Sequence, residues 1–296
     1  MRTATVLICA LIYIQCISII NGDTDDIKVS PEELDEVANA LNFRGKVVLI
    51  TGSSGGIGAT TARLLAKLGA QLVVTGRNLT RINEVVNDCY QLSPYRFRPL
   101  ALRLDLSNRG NCAKLVNATI AAYGKIDVLV NNAGIGLVAP IQDPNFNEFY
   151  SQVRKINEEA SVEVTRLAAP YIQSSSGSVI FIASILGWNP VSSTGGYSMS
   201  KNAITAIAKT LSHDLGPNVR VNIVSPGIVD GTRIFRLMDP GVRPLLIQNS
   251  IASSSMRRAG VPLDIAKLIV FLASNLSGCL DGQNLHADQG AYVPLL

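Results

Sequence analysis

The sequence predicts an α/β protein whose helices cover both faces of a mostly parallel, doubly wound sheet. From Gly45 onward, apolar runs of strand length alternate with amphipathic stretches of helix length. The strand-length runs are continuous in Val, Ile and Leu, which is typical of parallel strands buried on both faces. A glycine-rich turn at residues 51–58 joins the first run to the first helix-length stretch. No internal repeat or low-complexity tract interrupts this order, so the body is predicted to be a single domain.

The predicted strands follow one another along the chain. They are the runs KVVLITG, AQLVVTG, RPLALRLDL, IDVLVNNAG, GSVIFIAS and VRVNIVSPG. The first helix is expected over residues 60–68 and the second over residues 81–92. A helix-like stretch or a loop follows each later strand. This alternation is typical of a Rossmann-type sheet.

The chain opens with a hydrophobic leader, residues 1–22. Within it, residues 3–20 follow Arg2 and carry no charge. This run is longer than a usual signal-peptide core and barely reaches the roughly 20 residues that span a bilayer. The leader is therefore interpreted as a signal peptide or a membrane anchor.

An acidic spacer, residues 23–41, separates the leader from the predicted catalytic domain, residues 42–296. The spacer holds seven carboxylates against one lysine. Ser30, Pro31 and Glu33 form the pattern of an N-cap, a first-turn proline and a capping box. A short helix is therefore predicted within the spacer.

The charges around the leader favour one location for the body. Arg2 precedes the apolar run and carboxylates follow it, which favours a lumenal body by the positive-inside tendency. We expect the protein to enter the secretory pathway, where it is secreted or associated with the endoplasmic reticulum membrane through residues 3–20. An anchor that leaves the body facing the cytosol is the alternative. A lumenal body would present glycosylation sequons at Asn78, Asn117 and Asn275.

The composition argues against several classes of protein. The net charge is +4, but the basic residues of the body are scattered without interleaved aromatic residues, so nucleic-acid binding is not expected. The five cysteines form no CxxC pair, two of them lie in the leader, and the chain has two histidines. Neither a disulfide framework nor a metal site is therefore expected.

The glycine-rich turn TGSSGGIG has the character of a dinucleotide-binding loop. Gly52, Gly56 and Gly58 allow a tight turn, close approach of the backbone to a pyrophosphate, and close packing of helix on sheet. The N-terminus of the following helix would face the anion. Glycine marks any tight turn, but the position of this one after the first buried strand favours nucleotide binding.

A tyrosine and a lysine stand four residues apart in GYSMSK, a stretch that is predicted to be helical. Residues i and i+4 lie on one helix face, about 5 to 6 Å apart at Cβ. The ammonium of Lys201 is expected to lower the pKa of the Tyr197 phenol from its free value of about 10, because a positive charge stabilises the phenolate. Such a pair can donate and accept a proton near neutral pH.

Several motifs occur in the order of one protein family. TGSSGGIG, RLDL, NNAG, YSMSK and SPG, together with Asn157 and Ser184, resemble the motifs of the classical short-chain dehydrogenases/reductases over about residues 43–293. The resemblance implies that Tyr197 is the catalytic acid/base and that Lys201 lowers its pKa and holds the nicotinamide ribose. It also implies that Ser184 polarises the substrate carbonyl and that Asn157 maintains a water relay to the lysine.

The same resemblance implies a set of cofactor-binding residues. They come from the glycine-rich turn, the end of the second strand, RLDL, NNAG, the catalytic helix and the segment after SPG. The set is Thr51, Gly52, Ser54, Gly56, Ile57, Gly58, Arg77, Asp105, Leu106, Asn132, Ala133, Gly134, Tyr197, Lys201, Pro226, Gly227, Ile228 and Thr232. The family often has a threonine five residues past the proline of SPG, but Gly231 stands there and Thr232 follows it.

The end of the second strand, VVTGRN, bears on the choice between NAD and NADP. NAD-dependent enzymes commonly place an acid there for the ribose 2′-hydroxyl, whereas an arginine suits the 2′-phosphate. Gly76 stands where the acid is expected, and Arg77 follows it. NADP(H) is therefore expected as the cofactor in preference to NAD.

The expected activity is NADP(H)-dependent hydride transfer that interconverts a carbonyl and a secondary alcohol. Residues 234–251 are rich in apolar side chains and are expected to form a helical lid. With Leu186 and Trp188, they suggest a nonpolar substrate such as a steroid, retinoid, acyl compound or small ketone. A catalytically idle cofactor-binding or scaffold protein on the same fold is the alternative.

The stretch at residues 200–215 is apolar on more than one face, which indicates that another element or another subunit covers it. Members of the resembled family commonly pair through this helix. A homodimer or homotetramer is therefore expected.

Overall fold

The computed structural model describes residues 35, 39–232, 234 and 241–291. The chain divides into two compact units, Met1–Asn39 and Ala40–Leu296. In the first unit Asp35 and Asn39 are helical, and the Asn39 amide donates to the Asp35 carbonyl at 2.9 Å. The predicted leader and most of the spacer lie outside the described residues, so their interpretations stay predictions. In the part of the chain that is described, no helix combines the length and hydropathy that membrane crossing requires.

Strands and helices alternate along the second unit, as predicted. The strands are β1 (Val47–Ile50), β2 (Gln71–Gly76), β3 (Leu100–Arg103), β4 (Val128–Asn131), β5 (Ser178–Ile182), β6 (Arg220–Pro226) and β7 (Asn284–Ala287). The helices are α1 (Gly56–Lys67), α2 (Leu79–Leu92), α3 (Arg109–Tyr123), α4 (Phe146–Arg154), α5 (Ala160–Ser174), α6 (Gly195–Leu215), α7 (Val242–Ser253) and α8 (Pro262–Ala273). One π-helical turn, Lys155–Glu159, joins α4 to α5.

Within the described residues, the seven strands form one sheet in the order β3-β2-β1-β4-β5-β6-β7. Every neighbouring pair is parallel, which confirms the predicted doubly wound sheet. The chain winds outward from β1 to β3 and then in the opposite direction from β4 to β7. In open α/β sheets the ligand crevice lies at the carboxyl ends of the strands where the order reverses, which here is between β1 and β4.

Both faces of the sheet are covered by apolar helix surfaces. Val48 and Ile50 of β1 belong to a core cluster with Leu65 of α1 and Ile269 of α8, whereas Leu49 belongs to the cluster on the other face, with α3, α5 and α6. Consecutive strand residues point to opposite faces, so a strand buried on both sides needs an uninterrupted apolar run. This is why the apolar runs predicted β1, β2, β4, β5 and β6.

Three elements differ from their predictions, of which the second helix differs least: it begins at Leu79 and not at residue 81. The first helix begins at Gly56, inside the glycine-rich turn, and not at residue 60. The last strand, β7, was not predicted, because its four residues, NLHA, are half-buried or exposed at the edge of the sheet. An edge strand of this length lacks the continuous apolar run by which buried strands are recognised.

Candidate active site

Most predicted site residues lie at the carboxyl ends of the parallel strands, which we call the carboxyl edge of the sheet. The segments that carry them follow β1, β4, β5 and β6, and parallel strands bring their carboxyl ends to the same side. Tyr197 and Lys201 lie on α6. Four further predicted residues lie along this edge: Ile57 in α1, Leu106 after β3, Gly134 after β4 and Pro226 at the end of β6.

The turn after β1 packs against the NNAG segment at backbone distance, and this contact requires glycine. Gly52 has a φ of 66°, and a Cβ there would lie 2.9 Å from Ala133 Cα. A Cβ at Gly58 would lie 2.6 Å from Asn132 Nδ2. Side chains at either position would therefore separate the two segments that border the crevice.

Thr51 and Asn132 join these two segments by hydrogen bonds. Thr51 Oγ1 accepts from the backbone N–H groups of Asn132 and Ala133, both at 2.9 Å. Asn132 Nδ2 donates to the Thr51 carbonyl at 2.8 Å. The loops after β1 and β4 are thus held together across the point where the strand order reverses.

The first serine of the turn, Ser53, was not among the predicted site residues, yet it anchors the loop. Its hydroxyl donates to the Ile50 carbonyl at 2.8 Å and accepts from Thr75 N at 3.0 Å. The neighbouring Ser54, which was predicted, is also buried. No sequence pattern distinguished the two, because only the packing of the loop on β2 separates their roles.

The start of α1 fits the pyrophosphate of a dinucleotide. Its N-cap, Gly55, provides no side-chain acceptor, and the first turn holds no acidic residue. The first N–H groups of a helix have no partner within the helix, and the helix dipole favours an anion near them. A Cβ at Gly56 would come within 3.7 Å of Thr232 Cα, so a side chain there would fill the space between the turn and Thr232.

The end of β2 carries positive charge and no carboxylate. A Cβ at Gly76 would collide with Ser54 Oγ, so a side chain at the position where an acid would bind a ribose hydroxyl would require the Ser54 side chain to shift. Arg77 is exposed, and its Nη1 lies 3.8 Å from Asp105 Oδ2. The Asp105 carboxylate is oriented by Ser107, whose N–H and hydroxyl donate to Oδ1 at 3.0 and 2.9 Å.

Arg103 lies beside this position and was missed by the sequence analysis. It ends β3, pairs in register with Gly76, and donates from Nε to the Arg77 carbonyl at 3.2 Å. Sequence offered one weak signal, a basic residue two positions before Asp105, but only strand pairing shows that it lies next to Arg77.

The Ser184 and Tyr197 side chains are hydrogen-bonded to each other. Ser184 follows β5 and begins a short 3-10 turn, and Tyr197 lies in the first turn of α6. Burial raises the pKa of Tyr197 to about 12, and the hydrogen bond with Ser184 opposes that rise. The expected lowering of this pKa by Lys201 is not seen, because desolvation of the phenolate is the dominant effect.

Lys201 is buried behind the tyrosine. Its side chain donates from Nζ to the Ile182 carbonyl at 2.7 Å, and Nζ lies 5.7 Å from the centroid of the Tyr197 ring. Burial lowers the pKa of Lys201 to about 8, because the charged ammonium is poorly solvated there. The ammonium and the phenol are therefore neighbours, as the i, i+4 spacing predicted.

Asn157 connects the NNAG loop to α6. It lies in the π-helical turn, where its Oδ1 accepts from Ile135 N at 2.9 Å and its Nδ2 donates to Ser200 Oγ at 3.0 Å. Ser200 in turn donates to the Tyr197 carbonyl at 2.7 Å. Ser200 was not predicted, and it links Asn157 to the backbone of the tyrosine. A Cβ at Gly134 would lie 3.3 Å from Asn157 Oδ1, so this junction also depends on glycine.

These groups can stabilise negative charge on an oxygen atom. Two hydroxyls, of Ser184 and Tyr197, lie together with the Lys201 ammonium behind them. Hydrogen-bond donors that are fixed in place before reaction stabilise charge that develops on a carbonyl oxygen. No group of three or more metal-binding side chains occurs among the residues that the structure describes.

The segment after β6 closes another side of the site. Gly227 N donates to the Ala287 carbonyl at 3.1 Å, and the Ile228 carbonyl accepts from Gly260 N at 3.0 Å. Thr232 lies against the glycine-rich turn, as described above. These backbone contacts fix the segment to β7 and to the start of α8.

The predicted lid, residues 234–251, is described in part. Ile234 lies over Gly136, where a Cβ would be 2.9 Å from Ile234 Cγ1, and α7 is helical as expected. Arg243 of α7 pairs with Asp230 at 2.5 Å, which ties the helix to the segment after β6. Residues 235–240 lie outside the described residues.

Trp188 does not support the argument for a nonpolar substrate. Its ring lies 5.4 Å from Lys209 Nζ and 6.4 Å from the ring of His286 in β7. Lys209 is two helical turns beyond Lys201 on α6. The indole therefore contacts the β7 edge, and the substrate argument rests on the lid.

A cavity of about 420 Å³ lies at the amino-terminal ends of the strands, opposite the predicted site. Lys46 and Lys125 both pair there with the buried Asp127, at 3.6 and 2.9 Å. The helices α3 and α5 end at this cavity, and their C-terminal dipoles favour positive charge. The two lysines are thus accounted for by the fold itself.

The chain resembles proteins of known type. Residues 46–241 match the family model described as short chain dehydrogenase. 11-beta-hydroxysteroid dehydrogenase A of Sesamum indicum is 36% identical over 231 residues, 73% of this chain and 66% of that protein. Tropinone reductase-like 3 of Erythroxylum coca is 32% identical over 244 residues, 82% of this chain and 92% of that protein. A solved 7 alpha-hydroxysteroid dehydrogenase, complexed with NADH and 7-oxo glycochenodeoxycholic acid, superposes with a TM-score of 0.78 at 29% identity, over 86% of this chain and 96% of that one.

Proposed function

This chain belongs to the short chain dehydrogenase family and is an oxidoreductase that acts on CH–OH groups, and from this premise we propose that it interconverts a nonpolar ketone and its secondary alcohol with NADP(H). One observation carries the proposal: the hydrogen-bonded hydroxyls of Ser184 and Tyr197, with the buried ammonium of Lys201 behind them. A binding or scaffold protein would have no need for this arrangement.

The residues present fit a nicotinamide dinucleotide. The glycine-rich turn and the start of α1 would hold its pyrophosphate, Arg77 its 2′-phosphate, and Lys201 its nicotinamide ribose. Asp105 and Leu106 would border the adenine. When bound, the cofactor supplies the hydride for reduction of a ketone or accepts it from an alcohol.

The hydroxyls of Ser184 and Tyr197 would donate to the substrate oxygen and stabilise the negative charge that grows on it. Tyr197 then gives its proton to that oxygen and completes the reduction. The raised pKa of Tyr197, about 12, keeps the phenol protonated at neutral pH, which suits a proton donor. The Lys201 ammonium stabilises the phenolate that remains, and the link from Asn157 through Ser200 holds the tyrosine backbone in place.

The proposed cofactor is NADP(H) because of the charges at the end of β2. Gly76 provides no carboxylate to bind a ribose hydroxyl, and Arg77 is exposed beside it. An arginine matches the geometry of a phosphate through two parallel hydrogen bonds.

Replacing Arg77 with Asp should weaken NADPH binding by at least about tenfold, since a charged hydrogen bond contributes about 1.5–3 kcal/mol and each 1.4 kcal/mol is about tenfold. Binding of NADH should change far less. Arg98→Asp is the matched control. It reverses the charge of an exposed arginine in the same way, but at a position where the side chain contacts Asn87 of α2. Equal losses for the two cofactors in a fluorescence titration would contradict the role of Arg77.

We propose a hydrophobic ketone or alcohol as the substrate, and steroids are the class we favour most. The predicted lid is rich in apolar residues, its Ile234 lies over Gly136, and both the sesame relative and the solved neighbour are hydroxysteroid dehydrogenases by name. The test is turnover of the purified protein with steroids, retinoids, acyl thioesters and small ketones, each with NADPH and with NADH. Cofactor binding without turnover of any substrate would favour the idle binding protein.

We also propose that the protein forms a homodimer or homotetramer through α5 and α6. Val162 and Tyr171 of α5 are about one-third exposed, at 37% and 36%, and Ala206 of α6 is exposed between its polar neighbours. A second copy would cover these apolar groups. Light scattering at micromolar concentration should give at least the mass of a dimer, and a monomeric mass would refute the proposal.

A further inference from the structure

Arg77, which follows β2, and Arg103, which ends β3, lie side by side at the adenosine end of the site. Arg103 pairs in register with Gly76, and its Nε donates to the Arg77 carbonyl at 3.2 Å. We infer that Arg103 is a second specificity-determining residue, which binds the 2′-phosphate of NADP(H) together with Arg77. This inference rests on the proposed use of NADP(H).

The local charge favours a dianion. Arg77, just after β2, and Arg103, at the end of β3, are both exposed, and the first turn of α2, which follows Arg77, holds no acidic residue. The nearby carboxylate is that of Asp105, at 3.8 Å from Arg77 Nη1. A single carboxylate at this distance leaves the pair of guanidinium groups with excess positive charge. A phosphate monoester, which carries between one and two negative charges at neutral pH, would balance it.

The geometry leaves Arg103 suitable for binding. The bond from Nε uses one of the five donors of a guanidinium and fixes its plane against the backbone of Arg77. The two terminal nitrogens are not used by this bond. A guanidinium that is already oriented loses less freedom when it binds a phosphate through two hydrogen bonds.

Arg77 alone is drawn away from a ligand. Its terminal nitrogen faces Asp105, whose carboxylate is itself held by two hydrogen bonds from Ser107 and cannot readily turn aside. Part of the charge of Arg77 is therefore neutralised within the protein. Arg103 supplies positive charge at the same edge without a carboxylate partner in any ion pair of the described residues.

The experiment uses the full chain and isothermal titration calorimetry, so that the readout is binding and not activity. Arg103→Gln removes the charge but keeps most of the side-chain length, and it should weaken binding of NADPH and of 2′,5′-ADP by about tenfold, the effect of losing one charged hydrogen bond. Binding of NADH and of 5′-AMP should change by less than about twofold. Arg103→Lys, which keeps the charge without the planar fork, should fall between the wild type and Arg103→Gln.

Arg98→Gln is the matched control, since this exposed arginine lies outside the adenosine end and contacts Asn87 and Tyr90. It should leave all four affinities unchanged. Raising the salt concentration should narrow the difference between wild type and Arg103→Gln, because exposed charges are screened.

The outcomes separate this inference from the proposed function. Equal affinities of the wild type for NADPH and NADH would overturn the choice of NADP(H) and the role of Arg103 with it. A wild type that prefers NADPH, with Arg103→Gln and Arg103→Lys both unchanged or equally weakened for all four ligands, would overturn the role of Arg103 alone.

Discussion

Replacing Tyr197 with Phe should lower turnover by about 10²-fold or more while leaving NADPH binding intact. The substitution deletes the proton donor and keeps the aromatic ring, and a positioned acid or base contributes about 10² to 10⁴-fold to a rate. The hydroxyl also bonds to Ser184, so the variant removes one of two donors to the substrate oxygen. Steady-state rates and a cofactor titration on the same preparation measure both effects.

Two further variants help to interpret the turnover of Tyr197→Phe. Tyr171→Phe deletes an equivalent hydroxyl from a partly exposed tyrosine of α5 and should leave the rate unchanged. Ser184→Ala should also lower turnover, because it removes the other donor. A near-normal rate for Tyr197→Phe, in either ketone reduction or alcohol oxidation, would refute the assignment of Tyr197 as the acid/base.

Replacing Lys201 with Met should lower both turnover and cofactor affinity and should change the dependence on pH. Burial lowers the pKa of Lys201 to about 8, so the wild type loses this positive charge as the pH rises through about 8. Without the charge, the phenolate of Tyr197 is less stable, and the wild-type rate should fall over that range. The variant has no such charge to lose, so its smaller rate should lack the fall and its optimum should move upward.

The pH dependence of the free energy of unfolding should report the titration of Lys201 independently of catalysis. The folded state releases the Lys201 proton at about pH 8, whereas the unfolded chain keeps it to about 10.5. Between these values the unfolded state binds more protons, so this residue makes the free energy of unfolding rise with pH. Lys201→Met should remove that rise when its pH dependence is subtracted from that of the wild type.

Lys209→Met is the control for both measurements, because Lys209 lies on the same helix and is exposed beside Trp188. It should leave the pH profile and the difference in stability unchanged. A loss confined to the substrate KM in Lys201→Met, with cofactor affinity and pH profile preserved, would contradict the proposed role.

The strands of the buried sheet were accessible to sequence reasoning for a local reason. A strand covered on both faces is apolar along most of its length, and β1, β4 and β5 are buried along their whole lengths, with polar residues only at the end of β4 and the start of β5. The edge strand β7 was missed, since exposure at the edge removes this requirement. The pairing of Tyr197 with Lys201 was likewise local, because four residues of helix bring them to one face.

The direction in which the pKa of Tyr197 shifts could not be predicted from this local spacing. The i, i+4 spacing shows that an ammonium is near, and this alone would lower the pKa. The structure adds the burial of both groups, which raises the pKa of Tyr197 to about 12 and lowers that of Lys201 to about 8. Desolvation depends on everything packed around a group, and one helix does not define it.

By itself, the sequence determined the doubly wound α/β fold, the family resemblance, the glycine-rich turn and the Tyr–Lys pair, because each is written in residues that are close along the chain. Only the tertiary structure decided that Ser53 anchors the turn, that Ser200 links Asn157 to Tyr197, and that Arg103 lies against Arg77. These contacts join residues 22 to 43 positions apart or depend on loop packing. Strand order and register set such contacts, and they are fixed by the packing of the whole sheet and not by any local pattern.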